Sequence, residues 1–181
     1  MKRDVKTKET KKESRNIFFI VLRYLILLAL MFSLPIFYFI LTPLTIYPLF
    51  FLFKILFSKT VLSNTAIAIN GTAVIVQIIP ACVAGSAYLL LLILNLLTPM
   101  NNKKRLYSIT FSFIIFYILN LIRIFILILI YYYNSAIFDF THKLFWYVFS
   151  IIFVVGIWFY TTYKFKIKDI PIYTDIKSLY K

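Results

Sequence analysis

The sequence predicts an all-α integral membrane protein of about four transmembrane helices, with a short β-hairpin and a re-entrant segment on the outer face. Three observations point there. Apolar residues make up 62% of the 181-residue chain, whose mean hydropathy is +0.91; soluble domains run at about 45–50% apolar. Those residues gather in runs of roughly membrane-spanning length. The charge sits outside the runs: of 20 Lys and Arg, seven fall within residues 1–15, three are Lys103, Lys104 and Arg105, and five follow from Lys164 onward.

Taken in order, residues 1–16 are polar, carry no apolar period and read as a cytosolic tail. The first span is expected over 17–41, interrupted only by Arg23, Ser33 and Pro35. It resembles a signal peptide in layout, but no small-x-small cleavage site follows, so a retained anchor is the better reading. Arg23 lies within reach of the inner interface and snorkels there. Residues 43–57 are apolar but carry Pro43 and Pro48, with Lys54 and Lys59 at their end. Being shorter than the roughly 20 residues a span needs, they read as a re-entrant or interfacial segment.

Residues 64–79 change character. Two β-branched arms, Ala66-Ile67-Ala68-Ile69 and Thr72 to Ile79, flank Asn70-Gly71. Asn-Gly between such arms is the strongest short hairpin signal, because a type I′ turn needs positive φ at both positions. An open sheet edge cannot face lipid, so the hairpin belongs at the membrane surface or against the protein. Pro80 ends it. Spans are then expected over 82–98, 106–131 and 142–163, with 17–163 forming one membrane domain and 164–181 a basic cytosolic tail.

The basic clusters belong on the cytoplasmic side of a plasma membrane by the positive-inside rule. With both tails and the 101–105 loop inside, the number of spans is even. Four spans satisfy this, and the 43–81 segment then begins and ends outside. Net charge +14 does not make a nucleic-acid binder, since the 14 Tyr and 20 Phe lie mostly inside apolar runs rather than among the basic residues.

Depth follows by counting. Cys82 stands 21 residues before Lys103, Arg123 18 after Arg105, and His142 22 before Lys164. At about 1.5 Å per residue each is roughly 27–33 Å from the inner face, at the outer interface. The chain's only Cys and only His thus share a level with an Arg deep in a late span. Each has a bland role: Cys as a small buried hydrophobe, His as an interfacial anchor, Arg as a snorkelling cation. An intramembrane ionisable residue is nonetheless a functional candidate by default.

The three suit one chemistry. A thiol that attacks a peptide carbonyl must ionise, which a cation or a helix start favours, and Cys82 follows Pro80 at such a start. The tetrahedral oxyanion needs fixed donors, which a guanidinium supplies. The leaving amine needs a proton, which imidazole exchanges near neutrality. One Cys and one His leave too few ligands for a metal, and no cofactor is implied. A lone cysteine forms no internal disulfide.

Pro80-Ala81-Cys82-Val83-Ala84-Gly85, opening an apolar helix, resembles the Cys-x-Gly or Cys-x-x-Gly block of the exosortase and archaeosortase family. Asn120-Leu121-Ile122-Arg123 is similar to that family's Asn-x-x-Arg block, and His142 falls where the family carries its third catalytic residue. The resemblance covers about residues 60–163. Two departures stand out: the commoner form has Ser-Gly directly after Cys, and larger members have more spans.

The resemblance implies a membrane cysteine transpeptidase with its active site on the extracytoplasmic side. Its partners would be secreted proteins ending in a motif, an apolar helix and a basic tail, and a membrane lipid as amine acceptor. Cys82, Arg123 and His142 would be catalytic, with Asn120 and Asp139 orienting substrate or partner side chains. Two rivals remain. One is a small non-enzymatic membrane protein such as a transporter subunit or assembly factor, against which the scarcity of other intramembrane polar residues counts. The other is a cysteine protease that only hydrolyses.

Overall fold

The computed structural model describes Val21 and residues 25–69, 74–98, 100–133 and 135–166. Arg23, the Asn70-Gly71 turn and most of both basic tails lie outside the described residues.

Among the described residues, four helices are long and apolar enough to cross a membrane: Leu34–Leu56, Pro80–Leu97, Asn102–Tyr133 and Ala136–Lys164. The expected number is met among them; residues 25–31 and 34–41 of the expected first span are helical, but the helix that begins at Leu34 runs on past 41 to Leu56. Helix α1 (Leu34–Leu56) runs unbroken through Pro43 and Pro48. The expected end at 41 and the separate re-entrant segment over 43–57 are therefore absent. Proline removes a helical N–H and leaves the carbonyl four residues back without its donor. Pro48 deprives Leu44 in this way, and the Tyr117 hydroxyl donates to that Leu44 carbonyl at 2.8 Å. In an apolar setting a neighbouring helix that meets the freed group makes an interior proline tolerable.

After α1 the chain forms a three-stranded antiparallel sheet, β1 (Val61–Ser63), β2 (Ala66–Ile69) and β3 (Val74–Gln77), in that spatial order. The hairpin arms are those expected; β1 was not. Asn64, at φ 53°, makes the β1–β2 turn. Alternation turns Ile67 and Ile69 inward, both fully buried, against Ile46, Leu49 and Phe53 of α1 and Ile78. The sheet is thereby fastened to the bundle.

Helix α2 (Pro80–Val83) is a single turn, α3 spans Gly85–Leu97, and α4 spans Asn102–Tyr133. The last long helix is α5 (Ser135–Leu144), a π-helical turn over Phe145–Phe149, and α6 (Ser150–Lys164). It begins seven residues before the expected 142, within a stretch expected to be a loop. α4 is the central element, packing on α3, α5 and α6. Its buried residues, Ser108, Ser112, Phe116, Asn120, Arg123, Ile124, Leu127 and Ile128, recur every three or four positions and form one face. Polar members of that face link helices: Ser108 donates to Asn95 of α3, and Ser112 bonds Thr161 of α6 at 3.1 Å. Small polar residues of this kind let apolar helices approach closely. A second core, Tyr88, Leu91, Phe116, Val154 and Ile157, fills the space between α3, α4 and α6. Outward faces carry large apolar side chains such as Phe39 (81% exposed) and Tyr163 (83% exposed), the surface a bilayer would cover.

Candidate functional site

The expected helix starting at Cys82 is broken. Pro80–Val83 ends at Ala84, whose φ of 58° and ψ of 38° are left-handed, and the long helix restarts at Gly85. Cys82 therefore sits on an isolated turn, its amide bonded to Ile79 O at 2.9 Å. The sequence reading placed it in the open first turn of a long helix; the dipole it gains is that of one turn, and its own N–H is already used.

The break at Ala84 leaves carbonyls that an unbroken helix would have satisfied. The buried Asn120 amide donates to two of them, Cys82 O at 3.1 Å and Val83 O at 3.5 Å. Asn120 was expected to orient Arg123 or substrate; instead it grips the backbone of the cysteine turn. Its Oδ1 is buried without a partner. Gly85 restarts the helix under the ring of Tyr38, where a Cβ would lie 2.8 Å from Tyr38 Cε1. Its missing side chain is thus needed for close approach to α1, while the left-handed position belongs to Ala84.

Arg123, 5% exposed, projects from α4 one turn beyond Asn120. Its Nη1 donates to Ser150 Oγ at 3.0 Å, and Ser150 Oγ donates in turn to Phe145 O at 3.0 Å. Its Nε is buried without a partner. Ser150 escaped the sequence reading, although it is the one serine or threonine in the apolar run 144–160. The π-helical turn explains its placement. Eight residues at about 100° each put Ser150 roughly 80° around the helix from His142; a wide turn that absorbs one residue brings the two within about 20°. Both then address α4.

His142 stacks on Phe138, ring centroids 5.3 Å apart and planes 7° apart, and meets the edge of Trp146. Asp139, three residues before His142 on the helix, is exposed and does not line the cavity that holds His142.

Cys82, Arg123 and His142 line the same cavity, of about 220 Å³, together with Val76 to Ile79, Ile124, Leu127, Ile128 and Phe138. The half-buried thiol, the guanidinium and the imidazole come from three separate elements and meet in a wall that is otherwise apolar, apart from Gln77. In such surroundings charges and donors act strongly, because water screens them little. Among the described residues no group of three His, Cys, Asp or Glu comes together that could hold a metal ion.

Among the described residues, fold and site define a bundle of four membrane-length apolar helices with a small antiparallel sheet packed on it and a thiol, guanidinium and imidazole around one cavity. Set against family models, curated proteins and solved structures, the chain matches none.

Proposed function

We propose that the chain is an exosortase- or archaeosortase-like cysteine transpeptidase. It acts at the outer face of the plasma membrane on secreted proteins that end in a sorting motif, an apolar helix and a basic tail. The observation that carries this reading is the shared lining of one cavity by Cys82, Arg123 and His142.

The Cys82 sulfur attacks the carbonyl carbon of the scissile peptide bond, and the thiol proton passes to His142. Negative charge gathers on the carbonyl oxygen. Arg123 is suited to hold it, because its buried Nε has no partner and Ser150 anchors the other side of the guanidinium. A fixed donor aimed at a developing oxyanion contributes about 3–4 kcal/mol to an acyl transfer. Collapse breaks the C–N bond, His142 protonates the leaving amine, and the tail departs. An acceptor amine, on a membrane lipid, then attacks the thioester carbon. The C–S bond breaks, and the proton lost by the amine returns through His142 to the Cys82 sulfur. The balance needs no cofactor. Asn120 holds the turn that carries the nucleophile.

The test is the mass of a tailed secreted protein in cells carrying the wild-type chain or Cys82→Ala, Arg123→Ala or His142→Ala. The tail should stay on in all three variants, with the substrate still inserted. The wild-type product should gain the mass of an amine. A product bearing a free carboxylate instead would mark a hydrolase. Normal processing by Cys82→Ala would end the covalent reading and leave a non-enzymatic role.

A further inference from the structure

β3 is an edge strand. In the order β1-β2-β3 no strand among the described residues lies along its far side. The phase of its backbone follows from one bond. Ile78 N–H donates to Thr65 O at 2.9 Å, and the register sets Val76 opposite Ile67 and Val74 opposite Ile69. In an antiparallel ladder bonded and non-bonded pairs alternate. Val74, Val76 and Ile78 therefore turn their amides and carbonyls toward β2, and those of Ile75 and Gln77 point to the open edge. Ile75 and Gln77 are exposed.

That open edge leads to the thiol. Val76, Gln77, Ile78 and Ile79 form one wall of the cavity that Cys82, Arg123 and His142 also line, and Cys82 follows Gln77 by five residues. Free backbone donors and acceptors at a strand edge are a template for an added strand. They cannot be left facing lipid, where each unmet group costs several kcal/mol.

We propose, resting on the transpeptidase reading, that the substrate's sorting motif binds as an extended strand along the free edge of β3. Its main chain pairs with Gln77 and Ile75, and the strand delivers the scissile carbonyl to Cys82. The occupant is a short, extended peptide without basic side chains, since apart from Gln77 and the reactive groups the cavity wall is apolar and offers no acid to bind one. Recognition through the main chain leaves few side-chain contacts to read, so specificity falls on the one or two residues that enter the cavity.

The probe is acetyl-Ala-Val-Thr-Ala vinyl sulfone, compared with methyl vinyl sulfone, which has no main chain to pair; labelling of Cys82 in the full-length protein in detergent is followed by mass. The peptide should label wild type at least tenfold faster. Gln77→Pro removes the outward N–H while sparing the β2–β3 ladder, because proline is tolerated at an edge. It should abolish that advantage, bringing the peptide rate down to the methyl vinyl sulfone rate of the same variant, whereas Gln77→Ala should keep it. N-methylation along the peptide, which leaves the protein untouched, should abolish the advantage at alternate residues only. No peptide advantage on wild type, an advantage that survives Gln77→Pro, or loss at every N-methyl position would overturn strand addition. The transpeptidase reading is judged separately, by whether Cys82→Ala still processes a tailed protein.

Discussion

The Asn120 side-chain amide, on α4, donates to the backbone carbonyl of Cys82 at 3.1 Å. A residue 38 positions later in the chain thus holds the turn that presents the thiol, and it does so because the helix is interrupted at Ala84.

Asn120→Leu keeps the volume and removes the donor, so two buried carbonyls lose their partner. The cost is about 1–3 kcal/mol, read as a lower unfolding temperature in detergent. Cys82, on a looser turn, should also react faster with maleimide. Unchanged melting and labelling would show that the turn holds its shape without Asn120.

Ser150→Ala takes the acceptor from Arg123 Nη1. Hydrogen bonds to charged groups contribute about 1.5–3 kcal/mol, so processing of a tailed protein should fall roughly tenfold or more. Ser150→Thr keeps the hydroxyl and most of the rate. Arg123→Lys should not restore function, because a point charge cannot bond Ser150 and an oxyanion together in the manner of a fork. Full activity in Ser150→Ala would mean that the guanidinium is held by packing alone.

Tyr117→Phe removes the hydroxyl that satisfies Leu44 O, the carbonyl orphaned by Pro48. The expected loss is about 0.5–2 kcal/mol, the range found for bonds between membrane helices. In a Pro48→Ala background the helix supplies its own donor to Leu44, and the Tyr117→Phe loss should shrink. A double-mutant cycle in thermal unfolding measures this coupling; strictly additive losses would disprove it.

Ala84 and Gly85 should respond in opposite directions. Ala84→Gly relieves about 1–2 kcal/mol of left-handed strain against about 0.5–1 kcal/mol of extra chain entropy, a net gain of order 0.5–1 kcal/mol. Gly85→Ala drives a methyl to 2.8 Å from Tyr38 Cε1 and should cost about 1–3 kcal/mol, as overpacking does. With Tyr38→Ala alongside, the Gly85→Ala cost should largely vanish. If Ala84→Gly melts lower than wild type, the left-handed cap is not strained.

Much of the architecture was legible because hydropathy and charge act along the chain. Apolar runs and basic clusters foretold four long helices, and counting 1.5 Å per residue from Lys103, Arg105 and Lys164 placed Cys82, Arg123 and His142 at one depth. The structure sets all three around one cavity. Pro43 and Pro48 misled: as local signals they end a helix, but the hydroxyl that answers Pro48 comes from Tyr117, 73 residues away from the carbonyl it bonds. Asp139 misled in a similar way, since proximity in sequence to His142 did not bring it into the cavity.

The sequence by itself determined that the described residues form four helices of membrane-spanning length and how far along them the reactive side chains stand from the basic clusters, because both quantities add up residue by residue along a helix. Only the tertiary structure decided that the cysteine helix breaks at Ala84, that Asn120 turns to Cys82, that Ser150 anchors Arg123 and that β3 keeps an open edge toward the thiol. Each of these depends on which unmet donor or acceptor finds a partner on another element, and that is settled when the helices pack.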